Sequence, residues 1–257
     1  MSALAPLRLA VDGAVARLLI DRADRRNAFT NAMWEALPRL VGEAMADPAV
    51  RVLIVQAAAP GVFCAGADIE EFARALDDPA AGAWNQRAVR AAQLSLARAP
   101  KPVIALVEGD CVGGGCGLAI ACDFRVATPA SRFGITPAKL GIVYSLHDTR
   151  LLVDLVGPGQ AKRMLYTAAL LDAAEAQRIG LVEVVDEAAR TVAEAMAATI
   201  AANSPHSISG TKAIVRRILD GQTDDDAATT GMFTGALAGA DFAEGVAAFR
   251  AKRRPRF

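Results

Sequence analysis

Two stretches of this chain put glycines between a strand-like run and a helix start, and both could do chemistry through their backbone. The second in chain order is Glu108-Gly-Asp-Cys-Val-Gly-Gly-Gly-Cys-Gly-Leu-Ala-Ile-Ala-Cys-Asp123. The apolar run Pro102-Val-Ile-Ala-Leu-Val107 before it reads as a buried strand, and Leu118 to Cys122 is too apolar for a surface loop. The stretch therefore reads as strand, tight glycine turn and the N-terminus of a buried helix. Unbonded N–H groups and the positive end of the helix dipole gather at such a point. Glycine adds no Cβ to keep another group from the backbone. That combination suits an oxyanion or a phosphate; a glycine-lined helix–strand contact with no ligand is the alternative. The first stretch, Pro60-Gly-Val-Phe-Cys-Ala-Gly-Ala-Asp-Ile-Glu-Glu71, is a junction of the same kind, with Asp68 where a helix would start.

Positioning these junctions requires a β/α body. Leu7 to Asp21 alternates apolar and polar residues around Asp12-Gly13, the pattern of a β-hairpin. Arg22 to Asn27 is a polar, basic loop. Thr30 or Asn31 can cap a helix to about Met45 with Met33, Trp34, Leu37, Leu40 and Val41 on its apolar face, and Pro38 is expected to kink it. Val50 to Gln56 and Asp123 to Ala127 read as strands, and Ala81 to Ala99 as a helix closed by Pro100. Arg132 to Tyr144 has little periodicity and reads as a loop that lines something. Ser145 to Val156 and Gly159 to Ala169 read as helices divided at Gly157-Pro158-Gly159, followed by a short helix to Gly180 and a strand over Leu181 to Val185. From Glu187 the pattern is helical only. The expected division is an α/β body over residues 1–190 and an α-helical region over 191–257.

Composition narrows the partners. The 257 residues are 53% hydrophobic and 22% charged, with 28 basic and 28 acidic residues, so no global field points to nucleic acid or an anionic membrane. The local basic cluster Lys252-Arg-Arg-Pro-Arg256 reads equally as a solvated tail. No apolar run reaches the roughly 18–20 residues of a membrane span, and Met1 to Arg8 lacks the pattern of a secretory signal. The four cysteines, Cys64, Cys111, Cys116 and Cys122, have no C-x-x-C spacing and read as buried free thiols in a reducing, cytoplasmic setting. No metal, flavin or nicotinamide signature is present; Gly113-Gly-Gly-Cys-Gly117 is not G-x-G-x-x-G.

An ordered set of motifs spans nearly the whole chain: Arg26-Asn-Ala-Phe29, Phe63-Cys-Ala-Gly-Ala-Asp-Ile69, Gly113-Gly-Gly-Cys116, Cys122-Asp123, Phe133-Gly134, Leu140-Gly141, Ala173 through Gly180 to Val182, and Asp241-Phe-Ala-Glu-Gly-Val-Ala-Ala-Phe249. Together they resemble the crotonase family, the enoyl-CoA hydratases and isomerases. The resemblance implies a spiral of ββα turns followed by a helical C-terminal region, assembled as trimers or hexamers. It implies an acyl-CoA thioester whose carbonyl oxygen sits between two backbone N–H groups, carried over here to Ala67 and Gly114, with CoA itself the only cofactor-like moiety. It also implies CoA contacts near Arg26, Ala65, Asp68 and Ile69, and, from a neighbouring subunit, at the positions of Phe249 and Lys252.

The chain departs from that family where the hydratases carry their two acid–base glutamates: Gly117 and Pro137 stand there, and neither transfers a proton. Loss of CO₂ from a malonyl-type thioester needs the oxyanion hole but no strong base, because the departing carboxylate itself leaves the enolate. The loop Thr136-Pro-Ala-Lys-Leu-Gly-Ile-Val-Tyr144 is similar to that of the bacterial methylmalonyl-CoA decarboxylases, in which a tyrosine at the spacing of Tyr144 could hold the substrate carboxylate or protonate the enolate. Those enzymes have a histidine where this chain has Ala67. A hydratase or isomerase using His147 or Asp148, and an acyl-CoA-binding protein without turnover, are the other readings. Glu70 and Glu71 fit a helix start for dipole reasons alone, and Asp123 fits a tether at a strand–helix junction.

Overall fold

A computed structural model describes residues 6–74 and 78–257; the N-terminal residues 1–5, part of the segment read for a secretory signal, lie outside the described residues. The hairpin forms from β1 (Leu7–Asp12) and β2 (Val15–Ile20), with Asp12 opposite Val15. Helix α1 (Asn31–Ala46) starts at Thr30, whose side chain accepts from the Met33 N–H, and it runs through Pro38 as one helix. Strands β3 (Val52–Ala57) and β4 (Gly61–Cys64) lead to the short helix α2 (Ile69–Ala73) and then to α3 (Pro79–Ala97). The pattern repeats with β5 (Val103–Val107), β6 (Gly109–Val112) and α4 (Gly114–Ile120), and again with β7 (Phe124–Ala127), β8 (Arg132–Gly134) and α5 (Leu146–Thr167). Strands β6 and β8 are four and three residues long and lie in segments that read as turn and loop. Helix α5 bends at Gly157 (φ 74°, ψ 163°), where two helices were expected.

Each repeat gives one strand to each of two sheets. The larger sheet has the order β1-β2-β3-β5-β7-β10, with β10 (Val184–Val185) last; the smaller has β4-β6-β8-β9, with β9 (Leu171–Asp172) antiparallel to β8. This is the expected ββα spiral. Its central strands are buried on both faces, so they read as continuous apolar runs without alternation. Leu53, Val55, Val103 and Ala105 face the core beneath α1, α3 and α4, while Val52, Ile54, Ile104 and Leu106 face the other side.

That other side is covered by α7 (Ala189–Ala201), which follows the short helix α6 (Ala173–Arg178). Ala189, Ala193 and Ala197, one turn apart, are fully buried against Val52, Ile54 and Leu106. The expected boundary at 190/191 falls inside this helix, and α8 (Pro205–Leu219), α9 (Ala227–Leu237) and α10 (Ala240–Arg250) follow it. All four cysteines are free and buried; burial pushes the Cys64 and Cys122 thiols up to about 12, which leaves them unreactive packing groups.

Candidate active site

The two glycine junctions meet because β4 and β6 are parallel neighbours with Cys64 opposite Cys111. Three residues beyond each of these cysteines stand Ala67 and Gly114. The segment Arg26 to Phe29 fixes the first junction: Ala65 N–H donates to the Arg26 carbonyl (3.1 Å), Phe29 N–H to the Gly66 carbonyl (2.8 Å) and Asp68 N–H to the Phe29 carbonyl (2.8 Å). Because Gly66 and Asp68 bond toward Phe29, the Ala67 N–H points the opposite way, as alternate amides of an extended segment must. The side it points to carries the start of α4. A Cβ on Gly66 (φ +104°) would lie 3.2 Å from the Gly114 nitrogen, and one on Gly114 would lie 3.6 Å from the Ala67 nitrogen. Among the described residues neither the Ala67 nor the Gly114 N–H has a hydrogen-bond partner. Two unengaged donors thus lie close together, one of them at a helix N-terminus. Trp34, tilted at 46° against Phe29 with ring centroids 4.5 Å apart, packs beside the second donor: its ring lies 3.2 Å from a Cβ on Gly114.

One turn further along α4 lie the groups around Gly117. A Cβ there would lie 2.5 Å from Gln93 Nε2 and 3.2 Å from the Tyr144 hydroxyl. The Tyr144 ring is half-buried, but its hydroxyl is enclosed and has no partner among the described residues. Burial pushes that hydroxyl well above its ordinary value and the Asp148 carboxylate adds to the push, so Tyr144 stays a proton donor. Asp148 is buried; its N–H is capped by Ser145 Oγ, which in turn donates to Oδ2 at 2.5 Å, leaving Oδ1 unpartnered. Burial holds the half-buried His147 below its ordinary value, against the pull of Asp148, and its Nε2 has no partner. Pro137 sits in a 3₁₀ turn, Pro137–Leu140, and offers no acid or base.

Other expected site residues are held in structural bonds. Asp68 Oδ1 caps α2 through the Glu70 and Glu71 N–H groups, and Oδ2 pairs with Arg22 at 2.7 Å; the Arg22 hydrogen bond holds this carboxyl below its usual range. Glu71 accepts from the Asn31 N–H at the start of α1, and Glu70 pairs with Arg25 at the surface. Asp123 Oδ2 accepts from Val103 N–H and from Lys212 of α8, the tether expected of it. Arg26 pairs with Asp110 yet stays 63% exposed, Ala65 is half-buried and Ile69 is exposed beside them. Phe249 is 85% exposed on α10, and Lys252 has no ion pair among the described residues, whereas Arg253 is paired with Glu244. A cavity of about 580 Å³ lies at the far end of α4, under α8, lined by residues such as Ile120, Cys122, Leu155, Lys212 and Val215. Its lining takes in the end of the second stretch, Ile120 to Asp123, but not Ala67, Gly114 or Gly117.

Gln93 is a site residue that the sequence alone does not single out. It lies on the apolar stripe Val89-Ala92-Leu96 of α3, and a glutamine at that position of a buried stripe is the signal that could have found it.

A spiral of ββα turns with paired backbone donors at two glycine junctions defines the class, and sequence comparison agrees. The chain belongs to the enoyl-CoA hydratase/isomerase family, whose sequence model matches residues 11–257. It is 36% identical over 250 residues to a crotonyl-CoA hydratase of Syntrophomonas wolfei, covering 95% of this chain and 94% of that one. It is 33% identical to the bovine mitochondrial enoyl-CoA hydratase domain-containing protein 2, covering 95% and 84%. Among solved structures, an enoyl-CoA hydratase/isomerase family protein from Hyphomonas neptunium superposes with a TM-score of 0.96 at 39% identity, covering 98% of this chain and 97% of that one.

Proposed function

We propose that this chain is an acyl-CoA enzyme of lyase type that removes CO₂ from a malonyl-type thioester. The thioester oxygen takes the Ala67 and Gly114 N–H groups. The bond from the α-carbon to the carboxylate breaks, its electron pair forms the enolate, and the negative charge moves from the carboxylate to the thioester oxygen, where the two donors receive it. A proton from Tyr144, restored from solvent, then completes the α-carbon. The observation that carries this reading is the Gly117 wall: where an acid–base carboxylate would be needed to hydrate a double bond there is no side chain, and the groups beside it are the Gln93 amide and a tyrosine whose proton is held by burial until the enolate takes it. CoA contacts near Arg26, Ala65, Asp68 and Ile69 belong to the same proposal; the Asp68 carboxylate is already committed to Arg22 and α2, so its contribution is through the backbone. Exposed apolar side chains on the C-terminal helices, Ile218, Phe233, Leu237 and Phe249 among them, favour assembly with other copies as a trimer or hexamer, with Phe249 and Lys252 reaching a neighbour's nucleotide.

Incubation with malonyl-, methylmalonyl-, ethylmalonyl- and crotonyl-CoA tests the proposal. Release of CO₂ from a malonyl thioester, slowed by Tyr144→Phe, is expected. Hydration of crotonyl-CoA with every malonyl thioester left intact would overturn it. That second outcome is the alternative reading, a hydratase or isomerase working through Asp148 or His147, and the buried, unpartnered Oδ1 of Asp148 is what favours it.

A further inference from the structure

Gln93 is 1% exposed, and among the described residues neither its Oε1 nor its Nε2 has a hydrogen-bond partner. An amide buried without a partner is a standing cost that a leucine of similar volume would avoid. Such a group calls for an explanation, and its neighbours supply one. Its Nε2 and the Tyr144 hydroxyl lie 2.5 and 3.2 Å from the same point above Gly117. Both atoms can donate, both are enclosed and neither is engaged among the described residues. Two neighbouring neutral donors with no acceptor among the described residues fit a carboxylate brought by the ligand, for which the Gln93 side chain swings off Gly117.

We propose that Gln93 is a specificity residue whose side-chain N–H donates, beside Tyr144, to a carboxylate on the acyl group of the thioester. This rests on the reading of the site as one for malonyl-type thioesters and names the residue that recognises them. Neutral donors suit the chemistry. A guanidinium or ammonium in this place would make the stronger, charge-assisted bond to the ground-state carboxylate and lose it as the charge moves to the thioester oxygen. An amide and a phenol hold and orient the carboxylate while giving up less when it leaves as CO₂. The same two donors leave an uncharged acyl group with unfilled polar neighbours, which sets the site against it.

The test compares methylmalonyl-CoA with isobutyryl-CoA, in which a methyl group replaces the carboxylate. Affinities of the wild type, Gln93→Leu and Gln93→Glu are measured, as KM where methylmalonyl-CoA is consumed and as Kd where it is not. The wild type should prefer methylmalonyl-CoA. Gln93→Leu should weaken it about tenfold, the scale of one lost hydrogen bond to a charged group, and change isobutyryl-CoA less than about twofold. Gln93→Glu, which repels the carboxylate, should weaken methylmalonyl-CoA further. Equal effects on both thioesters, or none, overturn the proposal for Gln93. CO₂ release is read separately: a wild type that releases none while Gln93 still sets the carboxylate preference overturns the decarboxylation alone. A wild type that releases CO₂ with Gln93→Leu unaltered in both affinities overturns the role of Gln93 alone.

Discussion

Gln93 and Gly117 are complementary: the amide nitrogen of one lies 2.5 Å from where the other would carry its Cβ. The position one residue past the glycine turn is thereby closed to any larger side chain unless Gln93 withdraws. Under the proposed function the Ala67 and Gly114 N–H groups serve a thioester oxygen, and this neutral contact takes the place of a hydratase carboxylate.

Gly117→Ala should lower stability by about 1–3 kcal/mol, the range for an overpacked core, even though alanine is the better helix former. Gln93→Ala in the same chain should recover most of the loss in thermal melts, because it empties the space the methyl group needs. Gly117→Glu should yield no hydratase activity toward crotonyl-CoA. A melt unchanged by Gly117→Ala would show that the wall yields freely.

Gly114 is the first residue of α4, the helical position at which a missing N–H is best tolerated. Gly114→Pro removes one of the two proposed oxyanion donors there. Turnover should fall by about 10²–10³, as for loss of one such donor elsewhere. Circular dichroism should retain the helical signal of the wild type, and a rate within a few-fold of wild type would remove this N–H from the mechanism.

Arg22→Met should destabilise the chain near neutral pH by about 1.5–3 kcal/mol, the range for a hydrogen bond to a charged group. The Arg22 bond holds Asp68 below its ordinary value of 3.8 in the folded chain, so the pair's contribution is fully present above that value and fades as pH falls through the lower folded value. Denaturation curves of wild type and variant should therefore lie apart at pH 7 and converge in strong acid. A gap that persisted in acid would assign the effect to packing.

His147 behaves with the opposite charge and the same dependence on pH. Burial depresses its folded value below 6.5, so its neutral form is favoured on folding and wild-type stability should decline as pH drops below about 6.5. His147→Gln should flatten that limb of the curve. An unaltered limb would place the sensitivity in another group.

Much of this architecture is written locally. The hairpin turn, the Thr30 and Asp68 caps and the break at Gly157 depend on a few adjacent residues; the caps and the break form where the sequence puts them, and the turn falls on Gly13-Ala14, one residue beyond Asp12-Gly13. Pro38 does not break α1, because the helix is held by Trp34, Leu37 and Val41 buried beneath it. Strands β6 and β8 are too short to show alternation and exist only because they pair with β4 and with each other. The alanines of α7 read as helix in any setting; that they cover the second face of the sheet is a tertiary fact. The paired glycine junctions are legible as two separate anion cradles, but their approach depends on the β4–β6 pairing. Gln93 is hidden for the opposite reason: a glutamine in an alanine-rich helix looks like surface until its neighbours bury it.

The most direct measurement is turnover of methylmalonyl-CoA in D₂O, with the acyl-CoA product analysed by mass spectrometry and released CO₂ trapped. The account predicts stoichiometric CO₂ and propionyl-CoA carrying one deuterium at the α-carbon, the mark of an enolate that gathers its proton after the carboxylate has left. Recovery of methylmalonyl-CoA unchanged, from a preparation that converts crotonyl-CoA to its 3-hydroxy product, would contradict it.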